Sequence, residues 1–348
     1  MREVAAAMRQ WVDGGRRIAL ATVLRTGGSS PRQPGACLLV CEDSLSAGSV
    51  SAGCVETAVL VEAMAAIEGA PPKLLEFGPN SDPNYWDVAL SCGGEIHIRV
   101  ERPAFEADDA DGGAWWALLE CVEAGRPVVR VVPLDDTLGH LVWQPDGSVS
   151  GSLSGSPEAV ALAGNAFAAK RTGASEDGLL FAHVVPSPDR LVIIGAVHIA
   201  AALVRLAQTL GFETVVIDPR STYADPEGFD AEPDALMPVW PETALAEVGI
   251  DADTYAVVLT HDPKIDDLAL RVLLPSDAAY VGALGSSSTQ SSRRERLLSA
   301  GMTEAHVSRL YGPVGLSIGA KTPEEIALSI LAEIVQIKRA RIAEACRS

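Results

Sequence analysis

Cys54 is the residue whose position in the sequence most clearly indicates chemistry. It follows a run of small residues, 48–53, and directly precedes an apolar segment, residues 55–67, that has the spacing of a helix. Because the start of a helix stabilises negative charge, a thiol there can bind a soft metal or carry sulfur. The alternative is that Cys54 is a small apolar residue packed beneath the helix. Cys92, which stands beside a Gly-Gly pair, is a weaker candidate of the same kind.

A second group of candidates lies in the C-terminal half of the chain. The turn at residues 195–200 begins with Gly195 and matches the first and third small positions of the dinucleotide fingerprint G-x-G-x-x-G/A. Val197 occupies the central position, where glycine would let the backbone approach a pyrophosphate. Asp218 ends the next apolar segment, where an acidic residue would hold a ribose hydroxyl. These residues predict a Rossmann-like sheet and leave NAD(P) binding open.

A later loop and the helix that follows it carry groups that suit an anion. Gly285 and Ser286 lead into a predicted helix that bears Arg293 and Arg294. Hydroxyl and amide groups at a helix start, with arginines one turn further in, can bind a phosphate. The alternative is a solvated loop whose arginines offset an acidic surface.

Two histidines are placed by the sequence in loops at the edge of the same sheet. His198 follows the glycine turn, and His261 lies between Thr260 and Asp262. Either could contact a ligand or act as a general base. The sequence contains no phosphate-binding G-x-x-x-x-G-K-[ST] loop, no C-x-x-C pair and no H-E-x-x-H motif, so a structural zinc site is not predicted.

The elements that must position these residues are indicated by composition and periodicity. A length of 348 residues predicts two domains. Apolar strands and glycine turns fill the first hundred residues, whereas strands and helices alternate from residue 190 onward. The sequence therefore predicts an α/β protein, with an N-terminal α/β module at residues 1–180 and a C-terminal Rossmann-like parallel-sheet domain at residues 181–348.

Charge and cysteine usage exclude several classes of protein. The net charge of −19 disfavours both a nucleic-acid binder and a protein that docks on anionic membranes. We find no apolar run of the length needed for membrane insertion and no secretory leader. Six cysteines scattered through a long chain fit a reducing cytoplasm.

Several motifs in the same order resemble the XdhC/CoxI family of accessory proteins. The resemblance covers nearly the whole chain except about residues 103–185. Its motifs are ATV (21–23), TGGSSPR (26–32), PG (34–35), GSVSAGCVE (48–56), CGG (92–94), GAVHIA (195–200), THD (260–262), GALGS (282–286), GLSIGA (315–320) and TPEEI (322–326). Val197 departs from the glycine that many members carry.

This resemblance implies a chaperone for the molybdenum cofactor (molybdopterin) rather than an enzyme. Such a protein binds the cofactor, protects it or promotes its sulfurated form, and inserts it into an apo xanthine dehydrogenase-like molybdenum hydroxylase. The resemblance also implies a homodimer and a cysteine desulfurase as a further partner. The cofactor contacts that we predict, with Cys54 also as the metal ligand, are Arg25, Ser30, Arg32, Gly53, Cys54, Glu56, Cys92, Gly195, His198, Asp218, His261, Gly285, Ser286, Arg293 and Arg294.

Two other functions remain open at this point. The predicted sheet and Asp218 are compatible with an NAD(P)-dependent oxidoreductase. The acidic surface and the lack of a complete catalytic set are compatible with a scaffold that binds no small molecule. Cofactor binding and NADH binding distinguish the three hypotheses.

Overall fold

The computed structural model describes residues 1–28, 32–78 and 94–345 of the chain. The chain divides into two compact units, Met1–Ser187 and Pro188–Ser348. Each unit has its own sheets and its own hydrophobic core. None of the helices described is long and apolar enough to cross a membrane.

The first unit contains two antiparallel sheets. The strands of the first sheet pair in the order β3-β2-β1-β5-β4. Their bounds are β1 Ile18–Gly27, β2 Cys37–Cys41, β3 Ser46–Gly48, β4 Lys73–Phe77 and β5 Glu95–Glu101. Helix α2 (Glu56–Ile67) packs on one face, against alternate residues that include Val23, Ile96 and Ile98. Helices α1 (Arg2–Asp13) and α3 (Ala110–Glu123) share a core with the opposite face, in which Cys37 and Cys41 are fully buried.

The second sheet of this unit pairs in the order β8-β7-β6-β10-β9. Its strands are β6 Val128–Pro133, β7 Leu141–Trp143, β8 Val149–Ser150, β9 Gly173–Ala174 and β10 Leu180–Val185. Helix α4 (Pro157–Ala168) covers it through small residues such as Ala159 and Ala163, which let the helix approach closely.

The second unit is built on one parallel sheet, β13-β12-β11-β14-β15-β16. Its strands are β11 Arg190–Ile194, β12 Glu213–Ile217, β13 Ala235–Met237, β14 Thr254–Val258, β15 Tyr280–Ala283 and β16 Leu310–Tyr311. Its helices are α5 His198–Thr209, α6 Pro241–Val248, α7 Pro263–Leu273, α8 Ser287–Ser299, α9 Glu304–Val307 and α10 Pro323–Ala345. Strands β12 and β13 are added on one side of β11, whereas β14, β15 and β16 are added on its other side. In open α/β sheets, ligands bind beyond the carboxyl ends of the strands at the point where the direction of addition changes, which here lies between β11 and β14.

The α/β fold class and the Rossmann-like sheet are confirmed. One detail differs: His198, expected in a loop at the edge of the sheet, is the first residue of α5, where the turn after β11 ends. The sequence interpretation also missed α1, α3 and β10.

Candidate functional site

The carboxylate of Glu56 organises the loop that carries Cys54. Its Oε1 accepts hydrogen bonds from the Ser49 hydroxyl at 2.8 Å and from the Ser51 amide at 2.9 Å. Its Oε2 accepts from the Gly53 amide at 2.8 Å and from the Ser51 hydroxyl. Burial opposes ionisation, but the hydrogen bonds from Ser51 and Ser49 outweigh it and lower the pKa of Glu56 to about 2. The loop is therefore held from within by a charged group.

The two serines continue this bracing along the loop. The Ser49 hydroxyl accepts from the Ala52 amide, and the Ser51 hydroxyl accepts from the Val55 amide, both at 2.9 Å. Ala52 and Gly53 both have positive φ, at 63° and 116°, so the chain turns sharply just before the thiol.

Cys54 is half-buried and directly precedes Val55, the N-cap of α2. Its side chain packs against the core between α2 and the first sheet. The position at the start of the helix agrees with the sequence prediction. Among the described residues, no group of three or more His, Cys, Asp or Glu side chains is arranged to hold a metal ion.

The two arginines predicted for this region lie in different surroundings. Arg25 is exposed and is paired in register with His97, whereas the neighbours of His97, Ile96 and Ile98, face α2. Since successive residues of a strand face opposite sides of a sheet, Arg25 lies on the face away from α2. The hydrogen bond from His97 and the charge of Arg25 lower the pKa of Glu95.

Arg32 forms an ion pair with Glu3 of α1. Because Cys54 packs on the α2 side of the first sheet, Arg25 and Cys54 lie on opposite faces of that sheet. Ser30 and Cys92 lie outside the described residues.

In the second unit, the turn after β11 is closed against the loop after β14. Gly195 has φ of 108°, and a Cβ atom placed there would lie 2.6 Å from the Thr260 Cγ2 atom. Only glycine fits this approach. Val197 has ordinary extended angles, so its side chain causes no backbone strain.

Asp218, which follows β12, uses both carboxylate oxygens to accept hydrogen bonds from the protein itself. Its Oδ2 accepts from the Ala196 amide at 2.9 Å and from Arg220 Nη2 at 2.7 Å. Its Oδ1 accepts from the Arg220 amide at 3.0 Å and from Arg220 Nε at 2.8 Å. Burial opposes ionisation, but the hydrogen bonds from Arg220 and Ala196 outweigh it and lower the pKa of Asp218. The side chain is 0 % exposed.

The arginines of α8 differ in their surroundings. Arg293 is 1 % exposed, and its Nη2 donates to Asp266 Oδ2 at 2.9 Å and to the Leu284 carbonyl at 3.1 Å. Its Nη1 donates to Gln290 Oε1 at 2.6 Å. Arg294 is exposed and pairs with Glu304.

The first turn of α8 presents hydroxyl groups to the solvent. Ser286 is its N-cap and accepts from the Thr289 amide at 3.3 Å. The Ser286 and Ser288 hydroxyl oxygens are 2.8 Å apart. Gly285 precedes them with φ of 135°.

Both histidines are exposed near the carboxyl ends of the strands. His198 begins α5, whose N-cap, Val197, supplies no side-chain hydrogen bond. His261 has φ of 63°, a left-handed conformation that is uncommon for residues other than glycine. The sheet order brings the turn of Gly195 and the loop of His261 next to each other, because β11 and β14 are neighbours.

Comparisons with known proteins agree with this architecture. Residues 11–78 match the XdhC and CoxI family, and residues 191–334 match the XdhC Rossmann domain. The two matches include the Cys54 loop and the carboxyl ends of all the described strands of the parallel sheet. The chain belongs to the XdhC and CoxI family.

Full-length relatives of this XdhC-family protein have related names. It is 29 % identical over 322 residues to a Bacillus subtilis (strain 168) protein named as a probable xanthine dehydrogenase subunit, covering 92 % of this chain and 93 % of that protein. It is 26 % identical over 333 residues to the molybdenum cofactor insertion chaperone PaoD of Escherichia coli (strain K12), covering 95 % and 87 %. A crystal structure described as a xanthine dehydrogenase from Bacillus halodurans matches with a TM-score of 0.79 and 28 % identity, over 97 % of this chain and 96 % of that one.

Sequence reasoning missed Arg220 and Tyr223 in this XdhC-family chain. The guanidinium of Arg220 lies 4.2 Å from the centre of the Tyr223 ring and is 30 % exposed. The available signal was an arginine two residues after an aspartate that ends a predicted strand, a spacing at which the two side chains can pair.

The sequence also contains a serine-hydrolase pattern whose expected geometry is not found in the structure. The letters of residues 315–319, GLSIG, fit the hydrolase pattern G-x-S-x-G. Ser317 nevertheless lies in the loop between β16 and α10, not at the sharp strand-to-helix turn that exposes a nucleophile. This segment therefore gives no support to a serine hydrolase.

Proposed function

We propose that this XdhC-family protein is a chaperone that binds the molybdenum cofactor, protects it or helps to sulfurate it, and inserts it into a xanthine dehydrogenase-like molybdenum hydroxylase. The observation that carries the proposal is the relation to PaoD along 95 % of the chain. The proposed partners are an apo hydroxylase and a cysteine desulfurase, and the proposed state is a cytoplasmic homodimer without turnover of its own.

The described residues fit a metal–pterin that bears a phosphate. Cys54 offers a soft thiol on a braced loop, and the absence of a side chain at Gly53 leaves room for a flat ring. Nothing lies within 4 Å of a Cβ placed at Gly53. Arg32, His198, His261, Gly285, Ser286 and Arg294 remain proposed contacts, whereas Arg25 lies on the face of the first sheet away from α2 and is not among them. When bound, the cofactor would supply the metal centre that the client enzyme uses.

Four residues of the predicted contact set are proposed to act by positioning instead. Glu56 and Asp218 spend their carboxylates on the protein's own donors, Arg293 is buried against Asp266, and Gly195 is packed against Thr260. A ligand would have to displace these contacts to reach the groups. We therefore assign them to holding the two turns and the start of α8.

The test is to mix the purified protein with isolated molybdenum cofactor or with NADH and to measure what remains bound after gel filtration. We expect retained pterin and no hydride transfer from NADH to any added acceptor. Tight NADH binding with hydride transfer would favour an oxidoreductase. Retention of neither ligand would favour a scaffold, and either result would overturn the proposal.

A further inference from the structure

The second unit offers a cation where a dinucleotide-binding fold has its ribose acceptor. In such folds, an acidic side chain at the carboxyl end of the second strand accepts hydrogen bonds from the ribose hydroxyls. Asp218 occupies that position after β12, but both of its oxygens already accept two hydrogen bonds each. The carboxylate is also 0 % exposed. A ribose diol would therefore find no acceptor there.

Arg220 is the group that reaches the surface at this point. Its Nε and Nη2 face Asp218, and its Nη1 makes no hydrogen bond to any residue that the structure describes. The ring of Tyr223 lies 4.2 Å from the guanidinium and restricts its position. The hydrogen bond to Asp218 raises the pKa of Arg220, and the charge of Asp262, the N-cap of α7, also helps to raise it. The Asp262 side chain accepts a hydrogen bond from the Lys264 amide. A fixed guanidinium with a free edge recognises phosphate oxygens.

We infer that the second unit has a subsite for the 2′-phosphate of an adenosine nucleotide. The subsite consists of the Arg220 guanidinium, which stacks on the ring of Tyr223. The carboxylate of Asp218 orients Arg220 and does not contact the ligand. All residues of this subsite belong to the second unit, and the inference does not rest on the proposed chaperone function.

The test compares ligands that differ by one phosphate. Calorimetry of the full chain would measure the affinities of NADP and NAD, and of 2′-AMP, adenosine and inorganic phosphate. Val197 hinders the pyrophosphate of NADP and NAD alike, so their ratio reports the ribose position alone. We expect NADP to bind about tenfold or more tightly than NAD, since charge-assisted hydrogen bonds are among the strong ones. We also expect 2′-AMP to bind more tightly than either adenosine or phosphate.

Variants of the chain connect this preference to Arg220. Arg220→Ala is expected to remove the preference for NADP, and Arg205→Ala, an exposed arginine of α5 paired with Asp230, to leave it unchanged. Because Arg220→Ala also leaves Asp218 buried without its partner, Tyr223→Ala provides a second test that spares this ion pair, and we expect it to reduce the ratio several-fold. Equal binding of NADP and NAD, a ratio that survives both variants, or inorganic phosphate binding as tightly as 2′-AMP would overturn the inference.

Discussion

Glu56 in the first unit and Asp218 in the second both accept hydrogen bonds from the backbone of a glycine-containing turn, but their other partners differ. Glu56 accepts only from neutral donors, namely two amides and two hydroxyls. Asp218 accepts from one neutral amide of the turn and from three donors of Arg220. The first turn is thus held without a cation, and the second brings a cation to the surface.

This difference indicates what each turn can offer a ligand. Beside the Glu56 loop lies a thiol, which suits a soft metal or sulfur. Beside the Asp218 turn lies a guanidinium, which suits a phosphate. In both places the acidic residue that looks like a ligand contact in the sequence is the group that fixes the turn.

The largest effect is expected from Arg293→Ala, which extends the comparison to a fully buried pair. Removing this arginine leaves Asp266 buried without its cation, which costs about 3–5 kcal/mol of unfolding free energy. The control is its neighbour Arg294→Ala, an exposed pair expected to cost about 0.5 kcal/mol. Urea unfolding of the two variants at pH 7, followed by circular dichroism, measures both values.

The same pair makes a prediction about pH. Burial raises the pKa of Asp266 above its ordinary value, although Thr260 and Arg293 oppose this. A carboxyl group with a raised pKa in the folded state is tolerated better when protonated, so its penalty grows as pH rises through that pKa. The loss caused by Arg293→Ala should therefore be smaller at pH 5 than at pH 7. Normal stability combined with weakened cofactor binding would instead make Arg293 a direct contact.

The next largest effect is expected from Glu56→Gln. The glutamine amide would present a donor to the Gly53 amide and leave that donor unsatisfied, at a cost of about 1–3 kcal/mol. Because the folded pKa of Glu56 is about 2, its contribution is present above about pH 4.5 and is lost as the pH falls toward 2. Wild type should thus lose more stability than the variant between pH 5 and pH 3.

Urea midpoints at these pH values test this, with Glu62→Gln as a control in the same helix. Glu62 pairs with Lys73, whose side chain is 41 % exposed, and its replacement should cost about 0.5 kcal/mol. If the two variants were equally stable, the carboxylate of Glu56 would not hold the loop.

The comparison also shows which features can be predicted from the sequence. Periodicity located the parallel sheet. The TPEEI motif at residues 322–326 has the spacing of a capping box and forms one at the start of α10, with the Thr322 amide 3.1 Å from Glu325 Oε2 and the Glu325 amide 3.3 Å from Thr322 Oγ1. Helix α3 was missed because Gly112 and Gly113 interrupt its pattern, although Asp109 caps it. The internal use of Asp218 was missed because the type of a residue does not reveal which donors fill its lone pairs.

A moderate effect on ligand binding is expected from Cys54→Ser. Serine preserves size but loses affinity for a soft metal, so retention of the molybdenum cofactor should fall about tenfold, or about 1.4 kcal/mol. The Glu56 bracing does not involve the thiol, so the urea midpoint should stay the same. Cys346→Ser is the control for a thiol elsewhere in the sequence. Normal retention by Cys54→Ser would remove the thiol from the proposed site.

The smallest effect is expected from Val197→Gly. This variant tests whether the Val197 side chain alone prevents NAD binding or whether the filled carboxylate of Asp218 prevents it as well. We expect wild type to bind NAD no more tightly than about millimolar, or about 4 kcal/mol. Val197 has φ of −96° and ψ of 170°, so glycine is not needed for conformation and matters only for the approach of a pyrophosphate.

Restoring this glycine still leaves Asp218 without a free oxygen for the ribose. Calorimetry should therefore show less than a tenfold gain in NAD affinity for Val197→Gly, which is less than about 1.4 kcal/mol. Micromolar binding of NAD by this variant would show that the valine alone closes the turn. It would also show that Asp218 can exchange Arg220 for a ribose, so that the two turns differ less than their hydrogen bonds indicate. A small gain would instead leave the partner of the carboxylate as the feature that separates the two turns.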